Sequence, residues 1–106
     1  MGKILKWDPK SKQLSVFREN SRQTNGLYFD PEGRLLCCEG GAGRVTRTDM
    51  KSAKVEVLAD KYDGKPFAKP NDVCIDDKGR IYFTARSAVK DIEGETPKGV
   101  YRIDPN

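Results

Sequence analysis

The sequence contains no histidine. That absence excludes Ser-His-Asp and Cys-His nucleophile systems, and histidine metal sites, within one chain. Cysteine is scarce, with Cys37, Cys38 and Cys74 only. An odd count without a CxxC pair argues against a disulfide framework and against a paired-cysteine metal site. Cys37 and Cys38 are adjacent, so on a strand they point to opposite faces. The thiols read as small buried hydrophobes. No apolar run approaches the roughly 18 residues that a membrane span needs. No secretory signal pattern is visible, and nothing else fixes a compartment. No segment sustains a helical period.

What the chain has in quantity is mixed charge. Twenty Lys and Arg are interspersed with sixteen Asp and Glu, for a net charge of +4. Nucleic-acid readers gather basic residues on one face or helix, often with aromatics between them. No such stretch exists in this sequence, so neither nucleic acid nor a membrane is an expected partner. Charged residues make up 34% and hydrophobic ones 36%. Aromatic and branched residues nevertheless recur at regular intervals, which argues for a folded chain over a disordered one. A length of 106 residues allows one domain with a modest core.

The regular spacing is an internal repeat. Asn25-Gly-Leu-Tyr-Phe-Asp30-Pro-Glu-Gly33-Arg34-Leu-Leu-Cys-Cys38 matches Asn71-Asp-Val-Cys-Ile-Asp76-Asp-Lys-Gly79-Arg80-Ile-Tyr-Phe-Thr84 at an offset of 46. Each copy reads as strand, tight turn, strand, with the turns at Asp30–Gly33 and Asp76–Gly79. A second unit also recurs. Leu5-Lys-Trp-Asp8-Pro9 precedes Leu14-Ser-Val-Phe17, and Thr46-Arg-Thr-Asp49 precedes Val55-Glu-Val-Leu58. Turns at Pro9–Lys12 and Met50–Ala53 make both of these hairpins. Tyr101-Arg-Ile-Asp104-Pro105 repeats the first half of that unit once more.

Outer hairpin, inner hairpin, outer hairpin, inner hairpin, outer strand is the order of a β-propeller, with four strands per 40–50 residues. The reading is therefore all-β: a partial propeller of four-stranded antiparallel blades. Residues 1–20 are the outer hairpin of a partial blade, 21–60 a full blade and 61–106 a second, incomplete blade. The inner strands Leu35–Cys38 and Ile81–Thr84 are near-continuous apolar runs, as expected of strands covered on both faces. In the outer strands Leu14 and Val16 share a face, and Val55 and Val57 share a face. Two longer connections, Asp60–Pro70 and Ala85–Lys98, are either site loops or tolerated insertions.

Few residues carry chemistry. Gly40-Gly-Ala-Gly43 lacks the spacing of a phosphate loop and reads as a turn. Asp8, Asp49, Asp76, Asp77 and Asp104 read as turn formers, since calcium needs six or more converging oxygens. In a meander, Asn25 lies at the same sheet end as Glu39-Gly40, and Asn71-Asp72 at the same end as Ala85-Arg86. In a closed ring that end lines the channel mouth. An Asn there offers a carbonyl oxygen and an amide donor to a metal or a polyhydroxylated ligand. Alternatively, Asn71 caps backbone groups of its own turn.

At these residues the chain resembles the SMP-30/gluconolactonase family, which includes regucalcin-like lactonases. The likeness runs from Thr24-Asn25-Gly26-Leu27 through Asp30–Leu36, Cys38–Gly41, Arg44–Arg47, Val57–Asp60, Pro70–Val73 and Ile81–Thr84 to Gly99–Pro105. It implies a six-bladed propeller that hydrolyses a sugar lactone or similar small molecule. It also implies one divalent cation, calcium or zinc, in the central channel, which polarises the lactone carbonyl while a carboxylate acts as base. On this resemblance Asn71 faces the pocket and holds substrate or metal-bound water. Asp72 and Asn25 are substrate-binding candidates on the same rim. The family's metal ligands lie in blades outside this sequence, so no metal ligand and no catalytic residue is assigned. Phe83-Thr84 runs into Ala85-Arg86-Ser87 where the family has Asp-Pro, a departure at the channel mouth.

The expected function is that of a segment of a metal-dependent lactone hydrolase. The alternative is a catalytically inactive propeller module that self-assembles. Three copies would bring six inner hairpins together as a homotrimer, with the N-terminal hairpin of one chain completing the last blade of the next.

Overall fold

A computed structural model describes residues 2–86 and 93–105. Among these residues there are nine strands and no helix. The strands are β1 (Ile4–Asp8), β2 (Gln13–Arg18), β3 (Thr24–Phe29), β4 (Leu35–Glu39), β5 (Arg44–Thr48), β6 (Val55–Ala59), β7 (Pro70–Ile75), β8 (Ile81–Ala85) and β9 (Gly99–Ile103). They form three antiparallel meanders, β1-β2, β3-β4-β5-β6 and β7-β8-β9. The chain is an all-β partial propeller, its sheets stacked face to face.

The repeated turns hold for a stated reason. The Asp30 carboxylate accepts the backbone N–H groups of Glu32 and Arg34, and the Arg34 Nε donates to its other oxygen at 2.8 Å. Asp76 does the same with Lys78, Arg80 and the Arg80 Nε at 2.7 Å. Gly33 and Gly79 take φ of 78° and 80°, the left-handed region that only glycine enters without strain. Asp8 and Asp49 serve the outer turns similarly, accepting the N–H of Lys10 and those of Lys51 and Ser52. Asp104 instead pairs with Arg102 at 2.7 Å.

Alternation along each strand decides the stacking. Leu35 and Cys37 meet Ile4 and Phe17 of the first sheet. Leu36, Cys38 and Val45 face the other way and meet Val73, Ile81, Phe83 and Ala85 of the third sheet. All of β4 is therefore buried. β8 is buried only at Ile81, Phe83 and Ala85, because the face bearing Tyr82 and Thr84 has no sheet over it. The expectation of two covered faces holds for β4 and fails for β8. The expected face-sharing of Leu14 and Val16 is real, but that face is exposed, as is Val57.

Two features of the packing are not read from the repeat. Phe67, from the Asp60–Pro70 connection, enters the core and stacks edge-on against Phe83 at 4.9 Å. That connection is thus partly structural, and Thr96 ties it down through bonds to Pro66 and Ala68. Within the Ala85–Lys98 connection, residues 87–92 lie outside the described residues. The second feature is Glu39, which is fully buried. Its carboxylate accepts from Arg18 Nη1 (3.0 Å), Arg44 Nε (2.8 Å) and the Thr46 hydroxyl (2.7 Å). Arg18 belongs to the first hairpin, so this ion pair fastens the first sheet to the second. Cys74 is exposed, against the expectation of three buried thiols, because it lies on the uncovered face of the third sheet.

Candidate functional site

The site is built from a repeated irregularity. In β3, Thr24 pairs with Glu39 and Leu27 with Cys37, so Asn25 and Gly26 together oppose Cys38. In β7, Pro70 pairs with Ala85 and Val73 with Phe83, so Asn71 and Asp72 together oppose Thr84. Both are β-bulges, which re-aim side chains and occur often beside active sites. Each is entered through a residue in left-handed conformation, Gln23 (φ 57°) and Lys69 (φ 33°). These two positions are also 46 apart. Non-glycine residues at such angles are strained, and strain of this kind collects at functional sites.

The two bulges meet. β3 and β7 are neighbours across the interface of the second and third sheets. Gly26 lies against the backbone of Asn71 and Asp72, with no room for a Cβ. The structure thus brings Asn25, Asn71 and Asp72 to adjoining strands at one end of the stack. Asn25 and Asp72 are exposed and Asn71 is half-buried.

The roles within the cluster differ from the capping alternative. Among the described residues the Asn71 side chain makes no hydrogen bond, and neither does that of Asn25. Asp72 does the capping: an oxygen of its carboxylate accepts the Val73 N–H at 3.0 Å. The Thr84 hydroxyl accepts the Asp72 N–H at 3.1 Å. Both amide side chains therefore keep their donors and acceptor for a ligand or for water. Sequence reasoning missed Thr84 and Gly26 as supports of this cluster. The signal for Gly26 lay in the Asn25-Gly26 and Asn71-Asp72 dipeptides at matching repeat positions.

Cys38 lies beneath the cluster and is inert. Burial, with the nearby negative charge of Asp72, pushes its thiol up to about 12. Among the described residues no three Cys, Asp or Glu side chains converge on a point where a cation would sit. Asp72 is one carboxylate already engaged by a backbone amide, and calcium takes six or more oxygens. The residues present do not by themselves form the cation site that the resemblance implies.

Stacked antiparallel meanders with a bulged inner strand at one end define a propeller protein with a site at its channel mouth. Residues 1–106 match the family model described as the SMP-30/Gluconolactonase/LRE-like region, and the chain belongs to that family. It is similar to the gluconolactonase of Zymomonas mobilis subsp. mobilis, 29% identical over 96 residues, covering 85% of this chain and 26% of that protein. It is also similar to the protein strictosidine synthase-like 3 of Arabidopsis thaliana, 34% identical over 62 residues, covering 55% of this chain and 16% of that one. Two solved structures superpose on it. XC5397 from Xanthomonas campestris, a gluconolactonase, gives a TM-score of 0.81 at 28% identity, covering 97% of this chain and 37% of that one. The structural-genomics target DrR130, assigned as a gluconolactonase, gives 0.80 at 25% identity, covering 97% and 38%. The chain spans under two fifths of the length of each of these relatives.

Proposed function

We propose that the chain is a segment of a gluconolactonase-like lactone hydrolase and builds one stretch of the substrate-facing wall. The observation that carries this reading is the pair of bulges bringing Asn25, Asn71 and Asp72 together, two of them amides without side-chain partners among the described residues. A sugar lactone presents hydroxyl groups and a carbonyl oxygen. An Asn amide donates to the carbonyl or a hydroxyl oxygen while its own oxygen accepts a hydroxyl hydrogen. The free lone pairs of Asp72 accept a further hydroxyl. Holding these groups on paired strands fixes the ligand's orientation, which is the contribution a positioning wall makes to catalysis. A calcium or zinc ion, when bound, would polarise the lactone carbonyl. Its ligands would have to come from blades beyond these three sheets.

Titration of the chain with gluconolactone, followed by backbone amide chemical shifts, tests the reading. Shifts clustered at Asn25, Gly26, Asn71 and Asp72, and lost in Asn71→Ala, are the expected result. Shifts confined to other faces would overturn it. A lactone hydrolysis assay with and without chelator, run in parallel, reports whether the segment has activity of its own.

A further inference from the structure

The chain leaves open, at its two ends, both halves of an interface that it makes once internally. Leu36, Cys38 and Val45 of the second sheet are fully buried under the third sheet. Their counterparts in the third sheet are Tyr82, Thr84 and Val100. Tyr82 and Thr84 follow from the 46-residue repeat. Val100 follows because it pairs with Thr84 as Val45 pairs with Cys38. Nothing covers these counterparts, and Val100 is 70% exposed. Together with Cys74 they border a shallow apolar concavity.

The covering half is open as well. Tyr101 and Ile103 of β9 are packed into the core shared by the second and third sheets. Ile103-Asp104-Pro105 corresponds to Trp7-Asp8-Pro9, so Leu5 and Trp7 are the counterparts of Tyr101 and Ile103. Leu5 and Trp7 are 55% and 56% exposed. Leu5 pairs with Val16 and Trp7 with Leu14, which sets four apolar side chains on one face of the hairpin. An apolar patch of this kind on a small polar protein marks a contact surface.

We propose that the chain associates head to tail with a second copy of itself, the Leu5–Trp7–Leu14–Val16 face of one docking on the Cys74–Tyr82–Thr84–Val100 face of the other. The contact repeats, between molecules, the stacking that joins the second sheet to the third within one. It needs no strand exchange. β9 already fills the slot beside β8 with pairs running from Ile81↔Ile103 to Ala85↔Gly99, so the hairpin of another copy docks on the face and leaves that edge alone. The two surfaces differ, so the contact is heterologous, and successive copies either close a ring or extend.

Trp7 is the only tryptophan and reports the contact directly. Light scattering and Trp7 emission are measured over a dilution series for the native chain, for Trp7→Glu and for Val100→Asp. The native chain is expected to exceed the mass of one chain and to show a blue-shifted Trp7 emission, both lost on dilution. Either substitution places a charge in the buried contact and moves association to concentrations about tenfold higher or more. In Val100→Asp, Trp7 emission returns to that of an exposed indole. An equimolar mixture of the two variants forms a two-chain species, because each keeps one intact face. Both residues are exposed, so neither change removes a core contact. Leu14→Glu and Cys74→Glu replace any variant whose circular dichroism shows lost strand. A native chain that is monomeric at every concentration overturns the proposal, and assigns the open faces to further sheets of a longer polypeptide. Continued association of Val100→Asp, or a mixture that stays monomeric, overturns it in favour of symmetric pairing of hairpins. No outcome depends on lactone binding.

Discussion

Gly26 of β3 touches the backbone of Asn71 in β7, and the contact leaves no space for a side chain. A Cβ built on Gly26 would lie 2.7 Å from the Asp72 Cα, and closer still to the Asn71 carbonyl oxygen. Both neighbours are main chain and cannot rotate aside. Gly26→Ala is therefore expected to force the two bulges apart and to cost about 1–3 kcal/mol, in the range of overpacking changes. Denaturant unfolding measures the cost. A Gly26→Ala chain of native stability would show that the second and third sheets do not meet at this point.

The Asn71 side chain contributes little to the fold, since among the described residues it has no hydrogen-bond partner. Asn71→Ala is expected to change stability by less than about 0.5 kcal/mol, as substitutions away from structural features do. Thr84→Val is different. It removes the acceptor of the Asp72 N–H and should cost about 1 kcal/mol. The amide of Asp72 should then exchange faster with solvent. Hydrogen exchange and unfolding curves on the two variants separate ligand-facing from supporting residues.

Glu39 ties stability to pH. Burial alone would raise its pKa, but the Thr46 hydroxyl and the Arg18 and Arg44 guanidinium groups outweigh burial and hold it below its ordinary value of 4.5. A carboxylate with a depressed folded-state pKa stabilises the fold fully above its unfolded value, and the stabilisation is lost as pH falls through the folded value. Asp76 behaves alike. Its desolvation is overcome by the Arg80 backbone and side chain, by Lys78 and by Tyr82, and it is lowered from 3.8 to about 2. Melting temperature should therefore be flat above about pH 5 and fall between about 4.5 and 2. Glu39→Ala leaves Arg18 and Arg44 without their buried partner and should cost about 3 kcal/mol or more at neutral pH. The same variant should flatten the acid limb of the stability curve. A full-strength acid limb in that variant would remove Glu39 as its source.

The three thiols should separate cleanly. Burial pushes Cys37 up to about 11 and Cys38 up to about 12, while Cys74 is exposed. Only thiolate reacts with a disulfide reagent. At about pH 8 and low protein concentration one thiol per native chain should be labelled, and all three after denaturation. Rapid labelling of Cys38 in native protein would mean that the second and third sheets open readily.

The repeat, the strand order and the turn chemistry were legible because each rests on local physics. Asp30 and Asp76 fold their own turns through atoms within four residues along the chain. The placement of Asn25 and Asn71 at one sheet end followed from the meander alone. Phe67 was not legible, because its burial comes from strands distant in sequence and no periodicity marks it. Asp72 as the capping residue, in place of Asn71, was not legible either. The bulge is a choice of register, and register is fixed by what packs on the far side.

By itself the sequence determined a succession of four-stranded meanders and the two Asn-bearing strands that open them. Period-two alternation and Asp-Gly turns act at short range and need no partner. Only the tertiary structure decided which faces are covered. It buried Leu36, Cys38 and Val45 while leaving Tyr82, Thr84 and Val100 open. Burial is a property of the neighbouring sheet, and the same local pattern is core or surface according to whether that sheet is present.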